Sequence, residues 1–345
     1  MLEAARRLTS LFARPLPRVA LTPRSVVYRE NKCRLLRFTP EKRRFDVPVL
    51  MVPSMINRWY VLDLCPGRSL VEWLLEQGHE VYVLDWGTPA DEDRFVTFDE
   101  YIGGYLRRAL RKAAELGDVR DVETKQAHVL GYCMGGTLAL ILGAVYPERF
   151  ASLTALASPV AFDEDDLLGA WTRSEDFDVE AFAGGMGNAP WPLLQSAFNL
   201  LRPTLHASKL TFLADQAVQG RRWNDAFLDS FFAKERWAND NVAIPSDVFR
   251  RWILDIYRAN ALVNGSFLLD GHRVDLGALT MPLHVITFQD DYIVPRGAAE
   301  PLARLSGSRD LTANHLRGGH VGAVVSGGAR KALWPLMANW WQARD

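Results

Sequence analysis

Cysteine and lysine are both scarce in this chain. Three cysteines among 345 residues, Cys33, Cys65 and Cys133, are too few and too scattered for a disulfide framework, and no CxxC pair offers a metal site. Seven lysines accompany 33 arginines, and the 40 basic side chains balance 41 acidic ones to a net charge of −1. That leaves no excess of positive charge for nucleic acid or another polyanion. The apolar run of a secretory leader is missing after Arg6, Arg7, Arg14 and Arg18. A reducing, cytoplasmic compartment is therefore expected. One stretch without formal charge, residues 127–146, has the length of a membrane span, but Gly131, Gly135, Gly136 and Gly143 interrupt it. A buried strand turning into a buried helix accounts for it better, so no membrane span is expected. What is present is ordinary for a globular protein: 48% hydrophobic and 23% charged residues exclude disorder and coiled coil.

Short apolar runs set the architecture. Residues 25–29 and 33–38 alternate and predict an antiparallel edge pair. Residues 47–52, 80–86, 128–131, 153–157 and 284–288 are nearly continuous apolar runs, as in strands buried on both faces of a parallel sheet. Helical patterns lie between them at 69–77, which stops at Gly78, and at 98–116 and 137–146. The alternation predicts an α/β fold with a mostly parallel sheet. It lapses over residues 161–276, which hold two acidic runs and five of the eleven tryptophans. Residues 227–232 and 248–260 read as helical. We expect a core made of 1–160 and 277–345, with 161–276 inserted as a helical cap over the carboxyl ends of the strands.

The chemistry centres on Gly131-Tyr132-Cys133-Met134-Gly135-Gly136, placed where an apolar strand gives way to an apolar helix. This is the G-x-S-x-G nucleophile elbow of α/β hydrolases with cysteine in place of serine. The turn is so tight that side chains two residues before and two after the nucleophile would collide. The sulfur then projects at a helix N-terminus, whose partial positive charge favours thiolate. Cys33 and Cys65 read as small buried hydrophobes. In this fold the acid and then the histidine follow the nucleophile in the chain. Asp290 and Asp291 both follow the apolar run 284–288; Asp291 is preferred because its D-x-I-V-P run resembles the superfamily's acid loop, leaving Asp290 as a turn residue. His320, between Gly319 and Val321-Gly322, comes last, after the strand-like run 311–316. His79, His128, His206, His272, His284 and His315 read as structural. The oxyanion hole calls for the amide of Met134 and one from the loop 53–57, where Met55 is preferred and Ser54 and Ile56 are the other choices.

Taken in order, several segments carry a family resemblance: 22–28 (TPRSVVY), 57–64 (NRWYVLDL), 68–71 (RSLV), 83–87 (VLDWG), the elbow, 240–245 with Tyr257 and Asn260, 274–276 (VDL), 291–295 and 319–322. The chain resembles the catalytic subunit of a class III polyhydroxyalkanoate synthase from about Leu21 to its end. The resemblance implies that Cys133 takes the acyl group of an (R)-3-hydroxyacyl-CoA as a thioester, with His320 as base and Asp291 helping to activate the substrate 3-hydroxyl. It also implies a polyester product, a helical cap, a non-catalytic second subunit or a homo-oligomer as partner, and a place at the surface of polyester granules. No cofactor is called for, since CoA arrives with the substrate. A cysteine-triad hydrolase or thioesterase would use the same three residues with water as acceptor.

Overall fold

A computed structural model describes residues 2–162, 167–174, 176–201, 205–221 and 223–345. The acidic run 163–166 and the side chain of His206 lie outside what it describes. Eight strands form the central sheet: β1 Ser25–Glu30, β2 Cys33–Phe38, β3 Val49–Val52, β4 Val81–Asp85, β5 Ala127–Tyr132, β6 Phe150–Leu156, β9 Leu283–Phe288 and β10 Leu311–Leu316. The remaining two, β7 Leu268–Leu269 and β8 His272–Arg273, make a separate antiparallel ribbon. Spatial order in the sheet is β1-β2-β4-β3-β5-β6-β9-β10. From β4 to β10 every pairing is parallel, while β1 with β2 and β2 with β4 are antiparallel. The predicted edge pair and mostly parallel sheet are both present.

Burial explains the continuous apolar runs. Every residue of β3, β4 and β5 is buried, whereas β10, at the sheet edge, buries none of its residues fully. Alternate residues serve opposite faces: Leu50 and Val52 join one core cluster with Tyr82 and Val129, and Val49 and Met51 join another with Val81 and Leu130. Helix Leu70–Gln77 begins at Ser69, whose side chain accepts from the Glu72 amide, and ends at Gly78 with φ 96°. The pattern 98–116 resolves into a π-helical turn, Glu100–Leu106, and an α-helix, Arg107–Gly117.

Between β6 and β7 the described elements are helices: Leu167–Arg173, Val179–Met186, Trp191–Leu201, Leu205–Gln219, Asp225–Ala238 and Ser246–Arg251, then a π-helical turn Trp252–Arg258. The last two pack into the first core cluster through Val248, Phe249, Ile253 and Ile256, alongside Phe98 and Ile102. Among the described residues no helix is long and apolar enough to cross a membrane.

Candidate functional site

The elbow forms at the end of β5. Cys133 has φ 56° and ψ −130°, backbone values that an L-residue keeps only when its surroundings impose them. Its amide donates to the Leu156 carbonyl at 3.0 Å, and helix Met134–Val145 starts at the next residue. A Cβ on Gly131 would lie 2.3 Å from the Gly136 Cα, and one on Gly135 would lie 2.1 Å from the Val52 carbonyl oxygen. Glycine is thus required two before and two after the cysteine, for the steric reason inferred from spacing. Gly136 is held as tightly: its Cβ would meet the Ser158 Oγ at 1.8 Å.

Asp291 and His320, 29 residues apart, meet beside this cysteine. His320 Nδ1 donates to Asp291 Oδ2 at 2.7 Å, and His320 and Cys133 line the same cavity. Asp291 Oδ1 accepts from the amides of Ile293 and Val294 at 2.9 and 2.8 Å, so both carboxylate oxygens are engaged and the side chain is fixed. Asp290 takes no part; its amide donates to the Gly318 carbonyl. Burial of His320 works against its charged form. The sulfur of Cys133 and the carboxylate of Asp291 outweigh burial and raise the imidazole to about 10. Tyr132 supports the ring from behind: the two rings stack with centroids 5.2 Å apart, and the phenol donates to the His320 carbonyl at 3.1 Å. Nothing in the sequence singled out Tyr132 for that role, although its place beside the nucleophile was a usable cue.

The other thiols and histidines have structural settings. Cys33 and Cys65 are buried, and burial pushes both thiols up, Cys65 to about 11. His128 bonds Ser152 and His284 bonds Asn314. His79 stacks on Phe45 at 4.1 Å between centroids.

Two segments that line the cavities at Cys133 carry amides without an acceptor among the described residues. Met134 is the first residue of its helix, so its N–H has no acceptor within that helix. Across from it the loop after β3 leaves the amides of Ser54, Met55 and Ile56 without an acceptor among the described residues. The Met55 side chain is packed in the core, while Ser54 and Ile56 line the space beside Cys133. Ser54 Oγ is itself buried without a partner among the described residues. Distant residues hold this loop. Trp86 Nε1 donates to the Pro53 carbonyl at 2.9 Å, the Val242 amide to Ile56 at 2.9 Å, and Trp237 Nε1 to Arg58 at 2.8 Å. Asp240 accepts from Arg58 and from the Tyr60 hydroxyl. The segment 237–242 is thereby tied to the loop.

Two cavities open from the thiol. One of about 420 Å³ runs past His320, Tyr292, Asn57, Asn241, Gln195 and Lys234. A smaller one of about 100 Å³ is apolar, walled by Phe162, Trp171, Phe249, Trp252 and Tyr257. Cys133, Ile56 and Ile293 line both. Among the described residues no group of three or more His, Cys, Asp or Glu is placed to hold a metal ion.

Sheet, elbow and the thiol–imidazole–carboxylate row define a protein of the α/β-hydrolase class with sulfur at the nucleophile position. Comparisons with known proteins agree on the class and narrow it. The family model described as alpha/beta hydrolase fold matches residues 47–320, and the one described as Poly-beta-hydroxybutyrate polymerase (PhaC) N-terminus matches residues 17–74. The Poly(3-hydroxyalkanoate) polymerase subunit PhaC of Allochromatium vinosum is 34% identical over 331 residues, 94% of this chain and 89% of that protein. The subunit of the same name from Haloferax mediterranei is 34% identical over 95% of this chain, which spans 65% of that relative's length. A thermophilic esterase from Thermogutta terrifontis shares the fold, with a TM-score of 0.52 at 15% identity over 93% of this chain and 99% of that one. This chain belongs to the polyhydroxyalkanoate polymerase family, enzymes of the acyltransferase kind, and that membership favours polymerase over hydrolase.

Proposed function

We propose that this chain polymerises (R)-3-hydroxyacyl-CoA into polyester with release of CoA, through a thioester on Cys133. The observation that carries the reading is a cysteine on a strained backbone, beside an imidazole bonded to a carboxylate and shared by two cavities of different character. His320 takes the Cys133 proton, and the thiolate attacks the carbonyl of the acyl-CoA. The bond to the CoA sulfur breaks, and His320 returns the proton to it. Thiolate attack on a thioester is nearly isoenergetic, so the acyl group stays activated for the next transfer. A 3-hydroxyl then loses its proton to His320, with Asp291 bearing on that step, and its oxygen attacks the enzyme-bound carbonyl. An ester forms and the thiol is regenerated. Amides of Met134 and of the loop 54–56, with Met55 the preferred donor, hold the negative oxygen of each tetrahedral intermediate.

The larger cavity, lined by amide side chains, suits the CoA arm, and the apolar one suits the acyl chain. Residues 161–276 act in this reading as a cap that keeps water from the thioester. A non-catalytic second subunit or a second copy would complete the assembly, in the cytoplasm at the surface of polyester granules. The reading invokes no resident cofactor. Purified protein supplied with 3-hydroxybutyryl-CoA should release CoA and form water-insoluble polyester. Soluble monomeric hydroxy acid as the only product would establish the hydrolase instead.

A further inference from the structure

The scarcity of lysine makes two of the seven conspicuous, because Lys209 and Lys234 both line the cavity that contains Cys133. Lys209 is paired with Glu235 at 2.8 Å. Lys234, half-buried on the following helix Asp225–Ala238, has no ion pair or hydrogen bond among the described residues. It also lines a second, larger cavity of about 1230 Å³, whose walls include Arg14, Arg18, Arg68 and Arg221. The two carboxylates there, Asp225 and Asp229, are both engaged by Arg14, each at 2.8 Å. Among the described residues Arg18, Arg68 and Arg221 have no carboxylate within 4.0 Å.

A concave surface thus keeps four cations without an ion pair among the described residues, in a chain whose overall charge is −1. Burial, and then the charge of Arg68, push the Lys234 ammonium down, so the two cations work against each other. Like charges held together at a half-buried wall cost free energy unless an anion joins them. Phe212, Phe231 and Lys234 line both this cavity and the one containing Cys133 and His320, so the spaces adjoin.

We propose that this cationic cavity receives the phosphate-bearing nucleotide end of the acyl-CoA, with Arg68 and Lys234 contacting phosphate oxygens. The inference rests on the polymerase reading above and adds the direction from which substrate arrives. The neutral, amide-containing arm of CoA lies along the Cys133 cavity, beside Gln195, Asn239 and Asn241, and its phosphates stop at the basic wall. Arginine offers phosphate a two-pronged contact and lysine a point charge.

The test compares two thioesters on the full chain: 3-hydroxybutyryl-CoA and 3-hydroxybutyryl-N-acetylcysteamine, which ends before the phosphates. For Arg68→Gln and for Lys234→Gln, the ratio of kcat/KM for the CoA thioester to that for the short one should fall about tenfold, carried by KM. Lys234→Arg should restore most of it. A ratio within twofold of wild type in both Gln variants would overturn the proposal. Calorimetric titration with adenosine 3′,5′-bisphosphate separates this from failure of the polymerase reading, because it needs no turnover. The nucleotide should bind the wild type and bind Arg68→Gln about tenfold more weakly. Equal displacement by inorganic phosphate at the same concentration would mark a general anion patch and refute the assignment.

Discussion

Replacing Asp291 by Asn keeps the shape of the site and removes one charge. In the structure Asp291 Oδ2 accepts from His320 Nδ1 at 2.7 Å, and the imidazole stands at about 10 against an ordinary 6.5. That rise is worth about 5 kcal/mol at 1.36 kcal/mol per decade. It is supplied jointly by the Cys133 sulfur and Asp291, against the cost of burial. Its loss removes one of the two groups that hold the proton on the imidazole, and general-base catalysis of this kind contributes about 10²- to 10⁴-fold. The amide of Asn also presents a donor where an acceptor is needed, which favours the wrong imidazole tautomer and costs up to about 10⁴ in kcat in a triad of this kind. CoA release should therefore fall by between 10² and 10⁴, with the thermal midpoint little changed. The assay is stopped-flow CoA release with a thiol reagent, alongside calorimetric melting. A fall of less than tenfold in a protein that melts like wild type would refute the role given to Asp291.

Brief iodoacetamide treatment should label Cys133 well before Cys33 and Cys65, whose thiols are buried and pushed up, and peptide mass spectrometry reads the difference. Gly135→Ala would set a methyl 2.1 and 2.4 Å from the carbonyl oxygens of Val52 and Pro53, both backbone and unable to turn aside. It should cost about 3 kcal/mol or more, seen as a lower melting temperature or insoluble protein. Burial holds His79 down to about 4, so its contribution to stability is complete above 6.5 and lost as pH falls from there toward 4. His79→Leu should flatten that acid decline by about 3 kcal/mol in melts run between pH 7 and 4. His320 has the opposite sign: its contribution is present below 6.5 and disappears as pH rises through about 10. Changing Trp86 to Phe removes the donor to the Pro53 carbonyl and should lower kcat with KM nearly unchanged.

The chemistry-bearing turn was legible because its constraint is local. Five residues fix the elbow, and the carbonyl oxygens crowding Gly135 belong to the neighbouring strand end in any fold of this kind. The buried strands were legible for a similar reason, since 47–52 and 80–86 have apolar residues for both faces. What escaped is long-range or irregular. The π-helical turns Glu100–Leu106 and Trp252–Arg258 keep an amphipathic pattern indistinguishable from an α-helix. Ribbon β7–β8 is two residues per strand, too short for a periodic signal. The ties from Trp237, Asp240 and Val242 to the loop after β3 join positions about 180 apart in the chain, and pairing at that distance leaves no spacing to read. For the same reason the choice among the amides of Ser54, Met55 and Ile56 stayed open: all three lack an acceptor among the described residues.

Those ties make access and readiness a single variable. Helix Asp225–Ala238 supplies Trp237 and Lys234 to the cavity that contains the sulfur, and the loop after β3 lines the same cavity. The helix cannot swing away without releasing the Arg58 carbonyl, and the residues that follow it cannot leave without releasing Ile56. Water reaching the thiol by that route would find the proposed oxyanion donors already displaced. In the proposed reaction a thioester in this site would be guarded less by a tight seal than by the loss of catalytic power whenever the seal fails.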